Sequence, residues 1–143
     1  MAAAPILFMS DAVITFTTPS LAAFQAQVTT AEVIPTAGKE ATFVPLDPTA
    51  TIKRVGSTTW ELHLVGGQDW TTTTGLARYL YINDGSTTTF TVKAFGATAT
   101  ADHPGFTGTC QLVAATYGGE SDNFATLDVT LPITGGKPTL VTS

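Results

Sequence analysis

Gly66-Gly67-Gln68-Asp69-Trp70, followed by Thr71 to Thr74 and Gly75-Leu-Ala-Arg-Tyr-Leu-Tyr-Ile-Asn83, is the one stretch of this chain in which the hydrophobic period changes. On either side of it apolar and polar residues alternate, as in half-buried strands. Within it Leu76, Tyr79, Leu80 and Asn83 recur at helical spacing. The pattern predicts one short α-helix, about Thr73–Asn83, set into an otherwise all-β chain. Thr74 or Thr73 is the expected N-cap, because a hydroxyl there accepts from an orphan backbone N–H. Asn83-Asp84-Gly85 closes the helix with residues that tolerate left-handed backbone. A helix this short does not persist alone in water, so its Leu76, Tyr79 and Leu80 stripe must pack on a sheet.

Outward from the helix, Trp60, Leu62 and Leu64 mark one face of the best strand, with Glu61, His63 and Val65 on the other. A first strand spans Val13 to Thr17 and is closed by Pro19. A second runs from Ala23 to Ile34, with Phe24, Ala26 and Val28 in phase, and ends at Pro35. After the helix come Thr87 to Phe95, Thr107 to Tyr117 and Ala125 to Ile133. Turn signals separate them at Gly96, at His103-Pro104-Gly105 and at Gly118 to Asn123. These elements predict a mainly β fold: a β-sandwich or partly closed barrel of about seven strands with the one helix packed on it. Between Thr36 and Arg54 the alternation dissolves, and Pro45 and Pro48 argue against a central strand. A patternless segment this long is expected to be an interaction arm.

At 143 residues the chain suits a single domain, 1–143, large enough to bury roughly two thirds of the surface its unfolded form exposes. Charged residues are 12% of it, against about 25% in an average soluble domain, and threonine supplies the polar surface instead. Such a surface suits close subunit packing, because charged groups are costly to desolvate and are depleted from interface cores. The competing reading is an ordinary Thr-rich secreted β-domain. Met1 to Met9 lacks a positive n-region and runs into Ser10-Asp11, so secretion by a signal peptide is not expected and synthesis in the cytosol is. No apolar run is long enough to span a bilayer.

The net charge of −5 and pI near 4.6 exclude a protein that grips nucleic acid through its phosphates. Cys110 is alone and reads as a small core residue. Gly135-Gly136-Lys137 ends like a phosphate loop, but Pro138 stands where the Ser or Thr belongs. His63 and His103 form no metal-spaced pair, and Gly-x-Ser-x-Gly is missing. Glu120 and Asp122, with Asp84 or Asp102, match no calcium loop. No catalytic residue, cofactor or metal is therefore expected.

Taken in order, the Gln68-Asp69-Trp70 lead-in, the Gly75-Leu-Ala-Arg-Tyr-Leu helix, Gly108-Thr-Cys-Gln-Leu, Ala115-Thr-Tyr-Gly-Gly119 and Leu127-Asp-Val-Thr-Leu-Pro-Ile-Thr-Gly-Gly-Lys-Pro138 carry a likeness. Through them the chain resembles the major tail, or tail tube, proteins of long-tailed bacteriophages, from about Trp60 onward and more loosely before it. The resemblance implies a virion structural protein, not an enzyme. Its copies would form hexameric rings stacked into a tube that guides double-stranded DNA without specific binding and encloses a tape-measure protein. Tail terminator and baseplate proteins would be further partners, and no membrane would be involved. Six subunits giving four strands each, at about 4.8 Å spacing and about 40° tilt, would close a barrel roughly 48 Å across. Strand phase makes Glu61 and Asp128 candidates for its water-filled wall. Lys39, Phe43, Val44, Leu46, Lys53 and Arg54 are the candidate residues of an arm packing on the next ring. The alternative is a capsid or tail decoration module, or a carbohydrate-binding β-sandwich using Trp60, Trp70, Tyr79, Tyr81 and Tyr117, although Trp60 and Tyr79 are in phase with the core.

Overall fold

Alternation becomes sheet through most of the chain. The computed structural model describes residues 7, 12–17, 20–21, 27–72, 74–94, 99–100 and 103–142. Its strands are β1 (Val13–Thr17), β2 (Ser20–Leu21), β3 (Val28–Thr36), β4 (Glu40–Phe43), β5 (Ile52–Val55), β6 (Thr59–Gly67), β7 (Thr87–Lys93), β8 (Gly105–Gln111) and β9 (Thr126–Val141). One helix, α1 (Leu76–Ile82), lies between β6 and β7. Seven strands make one antiparallel sheet in the order β2-β1-β7-β8-β9-β6-β3, which curls into a half-barrel. β4 and β5 form a separate two-stranded sheet.

The core is the concave side of that curl. β1 and β7 present Ile14 opposite Val92 and Phe16 opposite Phe90, while β6 and β9 present Leu62 opposite Leu131 and Leu64 opposite Val129. All of these are buried. α1 fills the trough with Leu76, Ala77, Tyr79 and Leu80, each at most 3% exposed. Every fully buried Leu or Phe contributes about 1.5–3 kcal/mol by leaving water, which is why a seven-residue helix persists here. Tyr79 also sets its ring 5.5 Å from that of Phe16. Cys110 is wholly buried on β8, and burial pushes its thiol up to about 12, so it is an inert core residue.

The helix starts differently from the expected threonine cap. Its N-cap is Gly75, with no side-chain cap bond. Gln27 supplies the cap from the turn before β3: its Oε1 accepts from the Leu76 N–H at 2.8 Å and its Nε2 donates to the Thr74 carbonyl at 2.7 Å. Gly75 is required sterically, since a Cβ there would overlap the Asp69 carbonyl and lie 2.7 Å from the Thr71 nitrogen. At the other end Asn83 caps and Gly85 takes φ +87°, as expected.

Strand limits also shift. β3 begins at Val28 and carries Pro35 within it, opposite Trp60, which an edge strand tolerates. Residues 23–26, Pro19, Phe95 and Gly96 lie outside the described residues. β8 stops at Gln111, and Leu112 to Ala125 run as an irregular loop. β9 is sixteen residues long, pairing with β6 through its first half and with β8 through its second. The Gly135-Gly136-Lys137 run is a bulge in that strand: Thr107 opposes Thr139 but Thr109 opposes Thr134. Both glycines adopt positive φ, at 76° and 93°, to let the extra residues loop out.

Candidate assembly surfaces

The arm expected between Thr36 and Arg54 is ordered as a hairpin, so the reading of a strandless segment is corrected. Glu40 opposes Val55, Ala41 opposes Arg54, Thr42 opposes Lys53, and Phe43 opposes Ile52. Pro45 and Pro48 sit in the connection, where they cost the ladder nothing, and Asp47 caps its 3₁₀ turn by accepting from the Thr49 N–H at 3.0 Å and its hydroxyl at 2.7 Å. These bonds hold the Asp47 carboxyl below its ordinary range. Every residue of β4 and β5 is exposed, including Phe43, Ile52, Lys53, Arg54 and Val55, as are Lys39, Val44 and Leu46 around them. Two paired strands of four residues are marginal alone in water, and this pair has no buried face.

A second exposed apolar surface lies beside α1, between the end of β6 and the loop after β8. Gln68 builds it by tying the loop after β8 to the end of β6. Its Nε2 donates to the carbonyls of Gly118 at 3.0 Å and Thr126 at 2.8 Å, and its Oε1 accepts from the Gly118 N–H at 3.0 Å and the Trp70 indole at 3.2 Å. Trp70 then meets Tyr117 edge-on at 5.3 Å and Tyr81 at 6.4 Å. Asp69 accepts from the Thr71 N–H and hydroxyl, which lower its carboxyl below the ordinary range and turn the chain toward the helix. Asp84 fixes the far end of the loop by accepting from the Ala114 N–H at 2.9 Å. Tyr81, Ile82, Tyr117 and Phe124 are all strongly exposed around this framework.

Of the five aromatics considered for a sugar platform, the structure brings together Trp70, Tyr81 and Tyr117. Tyr79 is in the core and Trp60 is half-buried on β6. The rings tilt by 57° and 63° to one another, so no flat stacking face results.

A charged face lies on the convex side of β3, β6 and β9. Glu61, His63 and Val65 alternate with buried Leu62, Leu64 and Gly66, and Asp128 alternates with buried Leu127 and Val129. Glu61 and Asp128 thus share the sheet face opposite the helix, as strand phase indicated. Sequence reasoning missed Glu32. It stands opposite His63 across the β3–β6 pair, with its carboxylate 3.1 Å from Nδ1, while Asp128 reaches Nε2 diagonally at 2.8 Å. The bonds to Asp128 and then to Glu32 raise the His63 pKa above its ordinary value. Period-2 phase could have put Glu32 on this face, but only strand register pairs it with His63.

His103 is a turn residue: its N–H donates to the Thr100 hydroxyl, and its carbonyl accepts from the Thr100 N–H. Among the described residues, no three His, Cys, Asp or Glu side chains are grouped to hold a metal. Asp102, one of the acids considered for calcium, lies outside them. On the open side of the half-barrel, Ala31 and Val33 of β3 face Val92, Gly105 and Phe106 across a largely apolar cleft of about 380 Å³, with Leu7 at its rim.

No protein-family model and no curated protein sequence matches the chain. Solved structures do match its fold. One is a chain of the virion of a native gene transfer agent particle, with a TM-score of 0.61 at 15% identity, covering 93% of this chain and 95% of that one. Another is a chain of the tail of an empty gene transfer agent particle, computed with helical refinement and C6 symmetry, with a TM-score of 0.61 at 16% identity, covering 93% and 96%. The half-barrel with one helix is therefore a fold that this chain shares over nearly its whole length with virion and tail components.

Proposed function

We propose that this protein is a tail tube subunit, a non-enzymatic structural protein whose copies form hexameric rings that stack into the hollow tail of a phage-like particle. The observation that carries the reading is the likeness to a chain of a C6-symmetric tail, which spans 93% of this chain and 96% of that one. A projecting hairpin without a buried face supports it, since heterologous contacts that close a ring and also stack produce a filament. In this reading the arm residues Lys39, Phe43, Val44, Leu46, Lys53 and Arg54 pack on the neighbouring ring. Glu61 and Asp128 line the bore, where an acidic wall repels a DNA backbone at distances comparable with the Debye length of about 8 Å. Double-stranded DNA and a tape-measure protein occupy that bore, and terminator and baseplate proteins cap its ends.

Electron microscopy of the concentrated purified protein tests the proposal. Six-fold tubes are expected. Discrete monomers in the microscope and in the ultracentrifuge, with and without tail partners, would refute it. A decoration or sugar-binding role gains nothing from the aromatic cluster, whose tilted rings offer no platform.

A further inference from the structure

Two apolar surfaces without partners stand on the same chain, and their charges are opposite. On the hairpin, register puts Ala41, Phe43, Ile52 and Arg54 on one face, with Leu46 fully exposed in the connection. Arg54 is the charge on that face, while Lys53 lies on the other face with Glu40 and Val55, and Asp47 caps the turn of the connection. On the loop after β8, Phe124 is 99% and Tyr117 79% exposed, and the acids among them are Glu120 and Asp122. The hairpin cannot satisfy its own apolar face, while the loop is already held in shape by Gln68 and Asp84. A preformed receptor loses little freedom on binding.

We infer that the hairpin of one copy docks its Phe43, Ile52 and Leu46 face on the Tyr117 and Phe124 surface of a second copy, with Arg54 set against Glu120 and Asp122. The inference rests on the tube reading and names the receptor for the arm, which that reading leaves open. Apolar burial supplies the adhesion; the charges fix register and exclude the hairpin-to-hairpin contact that would pair like with like. Because donor and receptor are different surfaces, the contact repeats without closing on itself in a pair.

Charge exchange tests it. Arg54→Glu, and separately Glu120→Lys with Asp122→Asn, should each lower the fraction of protein in tubes about tenfold. Asn is chosen at 122 because Asp122 has φ +64°. The combination of all three changes should restore tubes, since the charges at 54 and 120 are again opposite. All the sites are exposed, and circular dichroism verifies the fold. A triple variant no better than either parent variant, with wild-type tubes intact, overturns the docking while the tube reading stands; wild-type protein that makes no tubes overturns both. Should a variant misfold, a Leu46→Cys, Phe124→Cys protein decides by oxidation of preformed tubes. A ladder of cross-linked multimers supports the docking, and monomer alone refutes it. The native Cys110 is fully buried and does not compete.

Discussion

Gln68→Ala should unfasten the aromatic loop at a cost that can be worked from its bonds. The amide makes four: two from Nε2 to the carbonyls of Gly118 and Thr126, and two into Oε1 from the Gly118 N–H and the Trp70 indole. Each such bond contributes a net of about 0.5–1.5 kcal/mol, and partial exposure places these toward the low end because water replaces some of them. The sum is about 2–3 kcal/mol. For a domain near this size, 1 kcal/mol moves Tm by about 4 °C, so the variant should melt about 8–12 °C lower. Calorimetry of unassembled protein measures this, and hydrogen exchange should show the Gly118 amide losing protection. Trp70, half-buried and packed edge-on against Tyr117, should redden in fluorescence as water reaches it. A Tm within about 2 °C of wild type would refute the reasoning, because it would mean that the four bonds are made equally well by solvent.

His63 should confer a pH-dependent stability. Its folded pKa lies above the ordinary 6.5, so the contribution is complete below that value and is lost as pH rises through the folded one. Denaturant titrations at about pH 6 and about pH 9 should show wild type losing more stability than His63→Gln; equal losses would dismiss the Glu32–His63–Asp128 bridge. Gly75→Ala should cost about 2–4 kcal/mol, because the backbone of Asp69 and Thr71 must move to admit a Cβ; a change under about 0.5 kcal/mol in the same titrations would show that the turn yields freely. Glu61→Lys combined with Asp128→Lys should permit tube assembly yet slow DNA release from particles, since cations around a bore bind phosphates. Undiminished release would remove these two residues from the wall.

What the sequence disclosed was what periodicity can carry. α1 and the buried faces of β1, β6, β7 and the first half of β9 each repeat an apolar residue at a fixed interval, so Leu62, Leu64, Leu76, Leu80, Phe90 and Leu127 were legible as core. The hairpin was not, because four-residue strands with no buried face leave no alternation to read. Pro132, Gly135, Gly136 and Pro138 hid the second half of β9, since these residues ordinarily end strands and here are absorbed in or near a bulge. The helix cap was hidden by distance: Gln27 lies 49 positions before Leu76. Of the candidate surface residues, Glu61 and Asp128 share the face away from the core, a matter of period-2 phase, whereas the His63 bridge to Glu32 depends on register.

β9 has a consequence for the timing of synthesis. It is the last strand of the described chain, and it alone joins the β2-β1-β7-β8 half of the sheet to the β6-β3 half. While a ribosome is still making residues 126–141, neither half can complete the concave core, and the contacts that do so are distant in sequence and slow to form. The hairpin and the aromatic loop are both finished earlier in the chain, but they have no common rigid frame until β9 is laid between the halves. The hairpin and the aromatic loop, the surfaces proposed to bring copies together, are therefore held in fixed relation only once β9 is in place.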